Sequence, residues 1–358
     1  MNHIPRSTRR HTQQATTRAL ALGVAAVAAV SLSACTAEPT TGGGADPEDI
    51  TIGFIVKTNA NPFWVYMQEK AKEAADAHGV TLMTAAGEAD GDNEGQVAAI
   101  ENMMTSGVDA IIIDPNDSTA IVPTLEAAQE RGIATFAVDT QTENNEGVLG
   151  TWATDNTKGG ELLGQYMRAV FDEQHSGEEP RVALLDLQEG VTVGVQRRTG
   201  FLEGFGIELD GPEIVGQQYT NGDQSKAQAA MENMLQAAPD INVAYSINEP
   251  AGTGGAEAIA SAGKADGILL GSIDGSCDGV AMVENGAFTA TVMQFPGRMA
   301  EMSIEAAIEY LQTGTEPEMP ESGFVDTGTE LITNQAVEGV ESQDTEWGAD
   351  NCWGDTGE

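Results

Sequence analysis

Polar side chains stand where the apolar runs of this 358-residue chain stop. Lys57 follows ITIGFIV, Asp139 follows ATFAV, Asn248 follows VAYSI, Asp274 follows ILLGSI, and Gln294 lies just beyond ATVM. With Arg197 as a candidate cation, the set holds two carboxylates, two amides, a lysine and an arginine. Carboxylates accept hydrogen bonds, Lys and Arg donate them, and Asn or Gln do both. A ligand carrying hydroxyls is donor and acceptor at every carbon and needs this mixture, whereas a charged ligand would call for one sign of charge. The stretch KTNANPFW adds Asn61, Phe63 and Trp64. Two adjacent aromatics are costly to leave in water, so core, a partner or a ligand must cover them. Any one of the polar residues could be a helix N-cap; five at one edge of two sheets read as a site.

The elements that must position them alternate. Short β-rich runs at 50–56, 80–84, 110–114, 134–138 and 148–151 are separated by helix patterns at 63–78, 95–105 and 118–131, each stopped by glycine. The alternation resumes with strands at 181–187, 213–219, 243–248, 268–273 and 288–292, and helices at 197–205, 224–237, 252–262 and 276–285. The pattern predicts an α/β fold of two doubly wound parallel-sheet lobes in series. In such sheets ligands bind beyond the carboxyl ends of the strands, where the polar set lies.

The first 35 residues are expected to lie outside the fold. Arg6, Arg9, Arg10 and Arg18 precede an apolar run at 20–30, closed by Leu32-Ser33-Ala34-Cys35. The order is a secretory signal, and it resembles a lipoprotein signal peptide, in which Cys35 would be acylated. The residues after Arg9-Arg10 fit twin-arginine export poorly, which favours the general secretory route. Residues 36–49 are Gly, Pro, Thr and acid and read as a flexible tether. No later segment has the ~20 apolar residues of a membrane helix. The net charge is −40, and the leader carries four of the 16 basic residues and none of the 56 acidic ones. The exported chain is therefore more acidic still, which repels nucleic acid and anionic lipid. Cys277 and Cys352 are left as two thiols in an oxidising compartment, where a disulfide is favoured.

The segment Lys57-Thr58-x-x-Asn61-Pro62-Phe63-Trp64 closely resembles the first binding segment of periplasmic sugar-binding proteins of the ribose, allose and fructose group. IENMMTSGVDAIIIDPNDSTAIVP, FAVDTQT, TDNTKGGELLGQYM, RRTGFLEGF, SINEP, GSIDGSCDGV and ATVMQFP follow in the order of that group, over about residues 50–335. The strings TLMTAAG, APDINVAYSINEPA and SIDGSCDGV resemble fructose-binding members most. The resemblance implies a type I periplasmic binding protein fold whose lobes are joined by a three-segment hinge. The N-terminal lobe would hold 50–154 and 295–325, the C-terminal lobe 155–294 and 326–335, and an acidic tail 336–358.

It also implies roles. Asn61, Phe63 and Trp64 match the segment that contacts and stacks on sugar, which would leave the two aromatics open for a ligand, and Lys57 matches a ligand-contacting lysine of allose-type members. Asp139 matches the first-lobe carboxylate, although Thr140 stands where ribose binders carry an arginine. Arg197 matches the second-lobe arginine, with Arg198 as its rival. Asn248, Asp274 and Gln294 match the remaining contacts. The second-lobe aromatic of ribose binders falls near Gly222, a departure that implies a roomier or differently shaped pocket and argues against strict ribose specificity. Similar tails support a Cys277–Cys352 bridge. The expected protein is a monomer with no catalytic residues, no cofactor and no metal. It would be held by Cys35 at the outer face of a bacterial cell membrane and would pass a monosaccharide, fructose first, to an ABC importer permease with a separate ATPase. A sensor docking on a chemoreceptor or kinase, and a sugar-processing enzyme, are the rivals. A repressor core is disfavoured by the lack of a DNA-binding headpiece.

Other motifs carry less. Asp90-Gly-Asp92-Asn-Glu94-Gly95-x5-Glu101 approaches a calcium loop but reads more simply as a polar turn entering a helix. GTGGAEAI lacks the third glycine of a dinucleotide fingerprint, and His78 and His175 form no metal pair.

Overall fold

A computed structural model describes residues 45–354. The leader, Cys35, most of the tether and the last four residues of the tail lie outside the described residues. The chain runs β1 (Thr51–Thr58), α1 (Pro62–His78), β2 (Thr81–Gly87), α2 (Asn93–Ser106), β3 (Ala110–Ile113), α3 (Val122–Gln129), β4 (Ala134–Val138) and β5 (Thr151–Ala153). It continues with α4 (Asn156–Gln174), β6 (Val182–Asp186), α5 (Thr192–Phe205), β7 (Ile214–Tyr219), α6 (Gln224–Ala237), β8 (Val243–Ser246) and α7 (Glu249–Ser261). Then come β9 (Leu269–Asp274), α8 (Cys277–Glu284), β10 (Ala290–Met293), α9 (Pro296–Thr313), β11 (Val325–Asp326), β12 (Glu330–Thr333) and α10 (Thr345–Asn351).

These build two six-stranded sheets, ordered β11-β5-β4-β3-β1-β2 and β12-β10-β9-β8-β6-β7. All pairings are parallel except β10 with β12. Central strands such as AIII of β3 and VALLD of β6 are buried throughout, as a parallel sheet with helices on both faces requires. The two sheets share one strand order, so the second lobe repeats the first. This is the type I periplasmic binding protein architecture expected from the sequence.

The chain passes between the lobes three times. It leaves the first sheet after β5, returns after β10 through Gln294 and Phe295 into α9, and leaves again after β11. Asp326 still belongs to the first sheet, so the last crossing falls at 327–329 rather than at 325. The segment expected as an acidic tail is folded. Gln343 pairs with Ile332, Asp344 caps α10 by accepting from the N–H of Trp347, and Cys352 is bonded to Cys277. Its tryptophans and half-cystine outweigh its acids: Trp347 packs on an apolar cluster of Val280, Met293 and Ile332. The short strands β11 and β12, too brief to show a pattern, were not anticipated either.

One helix pair fixes the floor of the second lobe. Helices α4 and α5 approach so closely that a Cβ on Gly160 would collide with the carbonyl oxygen of Arg197, and one on Gly164 with that of Phe201. Gly200 and Gly204 meet the backbone at Thr157 and Glu161 in the same way. Glycines four apart on both helices therefore set the backbone separation and, with it, the position of Arg197. Gly164→Ala is expected to lower stability by about 1–3 kcal/mol through overpacking, read as a drop in the thermal denaturation midpoint.

Candidate functional site

In the first lobe the site grows from the ends of β1 and β4. Lys57 is 2% exposed, a long cation that only buried partners can hold there. Its Nζ donates to Thr140 Oγ1 at 2.8 Å and lies 3.5 Å from Asp114 and 3.8 Å from Asp139. The ammonium also sits 5.6 Å from the Trp64 ring centroid, in cation–π range. Thr140 in turn donates to Asp139 Oδ2 at 3.1 Å. Asp139 takes φ 61, a region costly for a residue with a Cβ, and its Oδ1 is buried without a hydrogen-bond partner. Trp64 Nε1 donates to Asp114 Oδ2 at 2.6 Å. Asn61 caps α1 by accepting from the N–H of Phe63 at 2.9 Å.

The second lobe supplies the complementary half. Arg197 spreads its guanidinium over Asn156 Oδ1 (2.7 Å), the Ile247 carbonyl (3.0 Å) and Gln294 Oε1 (2.9 Å). Gln294 passes a hydrogen bond on to Asp274 Oδ1 at 3.0 Å, and Arg197 itself stands 3.8 Å from that carboxylate. Asp274 takes φ 153, the second strained acid of the site. Its Oδ2 accepts from the backbone N–H of Glu249 at 3.1 Å. Asn248 caps α7 through the N–H of Ala251 at 3.1 Å, so here capping and lining the site are one residue's work. Arg198 points elsewhere and pairs with Asp186.

Lys57, Asn61, Phe63, Trp64, Asp139, Arg197, Asn248, Asp274 and Gln294 all line one cavity of about 20 Å³, with Asp90, Leu187, Val193 and Ile247. That is room for about one water molecule. Asn61, Trp64, Asp90 and Asp274 are also walls of a cleft of about 790 Å³, whose far side is formed by 221–224, Pro250 and Met282. A narrow polar inner space thus adjoins a wide outer one. Gly222, at φ 65, brings no side chain to that wall.

Two features differ from the sequence reading. Phe63 and Trp64 were expected to stand open; they are 3% and 5% exposed. Phe63 is covered edge-on by Trp353, with centroids 5.3 Å apart, because the folded tail supplies a second aromatic. Asp90 was read as part of a polar turn, yet it lines both spaces with its Oδ1 unpartnered. No strand-end signal marks it: Asp90 stands three residues beyond Gly87, the end of β2, whereas Asp139 directly follows β4. The cap of α2 is instead Asp92, accepting from the N–H of Gly95 at 2.9 Å.

Residues 52–316 match the periplasmic binding protein domain, and the chain belongs to that family. It is 32% identical over 284 residues to the ribose import binding protein of Bacillus subtilis, covering 78% of this chain and 89% of that protein. It is 30% identical over 317 residues to the D-ribose/D-allose-binding protein of Pseudomonas aeruginosa, covering 86% and 97%. Among solved structures, an ABC transporter solute binding protein from Agrobacterium vitis with bound D-fucose superposes with a TM-score of 0.72 at 28% identity, over 81% of this chain and 97% of that one.

The buried acids set a pH response. Burial pushes Asp274 well above the usual carboxylate range; the nearby Glu249 carboxylate adds to this, and Arg197 offsets only part. Burial likewise lifts Asp114, against the pull of Lys57. A folded-state pKa above the unfolded one means the native chain binds the proton more tightly. Stability is then gained as pH falls toward the ordinary carboxylate value of about 4 and lost as pH rises through the folded value. The ligand-free protein is therefore expected to melt higher at mildly acidic pH than at neutral pH, and Asp274→Asn should flatten that rise. A melting midpoint that falls steadily from neutral pH downward would contradict this.

Proposed function

We propose that this chain captures a monosaccharide, fructose first, by closure of its lobes and delivers it to an ABC importer whose channel and ATPase are separate polypeptides. The reading includes a lipid anchor on Cys35 that holds the monomeric protein at the outer face of the cell membrane. Its main support is convergence. Strand ends of both lobes surround one cavity with carboxylates, amides and a lysine, helix α5 adds an arginine, and an indole stands beside them. Hydroxyls pair with such groups in either direction, and the apolar face of a sugar ring packs on an aromatic.

The inner space is small for a sugar ring, so the ligand must displace internal partners as it enters. Gln294 links Arg197 to Asp274, and a sugar hydroxyl bridging the same two groups would replace that link with equivalent hydrogen bonds. Exchange of this kind leaves no buried charge unpaired, which is what makes entry affordable. The fructose preference rests on the strings quoted above and on Gly222, which leaves the wall open where ribose binders present an aromatic ring. Relatives named for ribose and allose, and a solved structure with bound D-fucose, support a sugar of pentose or hexose size.

Calorimetric titration with fructose, ribose, mannose, allose and several polyols tests the reading. The protein is first unfolded and refolded to strip bound material. One-to-one tight binding of one sugar is expected; silence across the panel from a folded protein would overturn the cargo. Trp64→Ala and Asp274→Ala are each expected to weaken binding by roughly a hundredfold or more, as truncating a buried, charge-paired contact does. Normal affinity in either folded variant would remove that residue from the site.

A further inference from the structure

The last described residues connect the lobes a fourth time. Cys352 is bonded to Cys277 at the start of α8. Trp353 pairs with Ser276 along the backbone, and its carbonyl accepts from the N–H of Cys277 at 3.0 Å. The segment is thus fastened to the second lobe. Its indole is not. The ring is 5% exposed and packs in the apolar core of the first lobe, 5.3 Å from the Phe63 ring and 6.0 Å from that of Tyr66. The indole N–H then reaches back and donates to the carbonyl of Asp274 at 3.1 Å. One side chain therefore touches a site residue from each lobe.

We infer that Trp353 is a positioning residue for the sugar site: anchored by the Cys277–Cys352 disulfide, it clamps Phe63 and Asp274 in register across the cleft and restrains how far the lobes part. This inference rests on the sugar-binding reading above. A ring that merely filled the first lobe's core would need neither a covalent anchor on the other lobe nor a hydrogen bond to the backbone of Asp274. The anchor is stiff. The Glu249 carboxylate accepts from the N–H of Gly275 at 2.8 Å and of Ser276 at 3.2 Å, and from Thr291 Oγ1 at 2.8 Å. The loop between Asp274 and Cys277 is consequently held at both ends, and a pull on the disulfide is felt at Asp274. Opening the lobes requires the indole to leave Phe63 and Tyr66. The clamp therefore favours the closed arrangement before any ligand arrives, and a preformed site binds more tightly in proportion to its population.

Small-angle X-ray scattering of the purified, ligand-free protein tests this together with sugar titration. The forms compared are the oxidised protein, the protein reduced with dithiothreitol, Trp353→Ala, Trp353→Phe and the Cys277→Ser/Cys352→Ser pair. Reduction, Trp353→Ala and the cysteine pair are each expected to enlarge the ligand-free radius of gyration and to weaken sugar binding about tenfold, mainly through faster release. Trp353→Phe, which restores the ring contact without the hydrogen bond, should recover part of both. A radius and an affinity unchanged in these forms would overturn the clamp, even if thermal stability fell, and would leave the ring as core filler. Should Trp353→Ala not fold, the phenylalanine variant and the cysteine pair decide by the same two readings. If the unaltered protein binds no sugar, the proposed function fails, and the scattering comparison still decides the clamp.

Discussion

A carboxylate taken out of water must be matched by donors, and each lobe of this protein buries one at an equivalent strand end. Asp139 follows β4 and Asp274 ends β9, the strands in third place in their sheets. Both are almost fully covered, and both hold a backbone angle that a side-chain-bearing residue adopts only when its surroundings insist. The rest of the arrangement answers that requirement. Lys57 is buried at the end of β1 because two acids and a threonine await it, and Arg197 is buried on α5 because an amide, a carbonyl and a carboxylate do. Each cation would be prohibitively costly without those partners, and each acid without its cation.

The repeat of strand order explains why the halves correspond without being alike. In the first lobe the cation comes from a strand, in the second from a helix placed by glycine contacts with α4. Ribose binders carry an arginine directly after the first-lobe carboxylate; here Thr140 takes that position and relays Lys57 to Asp139 through its hydroxyl. The charge is retained but arrives from β1, on the far side of β3, where it also meets the face of Trp64. A lysine on a flexible stem makes a point contact, whereas an arginine would fix two hydrogen bonds in a plane. The first-lobe half of the site is therefore less rigidly prescribed, and Asp90 of that lobe faces Gly222 of the other across the outer cleft.

Much of this was legible in the sequence because the governing rule is local. An apolar run that stops at Lys, Asp, Asn or Gln announces both a buried strand and the residue at its carboxyl end, and all nine residues named in that way, or by resemblance, line one cavity. The rule does not reach Asp90, which stands three residues beyond the end of TLMTAAG in a turn that resembles a calcium loop. What escaped depends on distant contacts. Whether Phe63 faces solvent or core is decided by Trp353, 290 residues further on, and nothing in either local sequence states that they meet. The fold of the tail escaped for the same reason. Its composition is acidic, and a few aromatic side chains with one disulfide outweigh that average. Nothing local marks Glu249, the first residue of α7, whose carboxylate braces the loop after Asp274.

The most direct measurement is a crystal structure of the protein with its tightest-binding sugar. The expected result is a ring whose hydroxyls lie about 2.7–3.2 Å from the carboxylates of both Asp139 and Asp274 and from the Arg197 guanidinium, so that groups from both lobes close on one molecule. A sugar held in the outer cleft by one lobe alone, with Lys57, Arg197 and Gln294 still bonded to their protein partners, would contradict it.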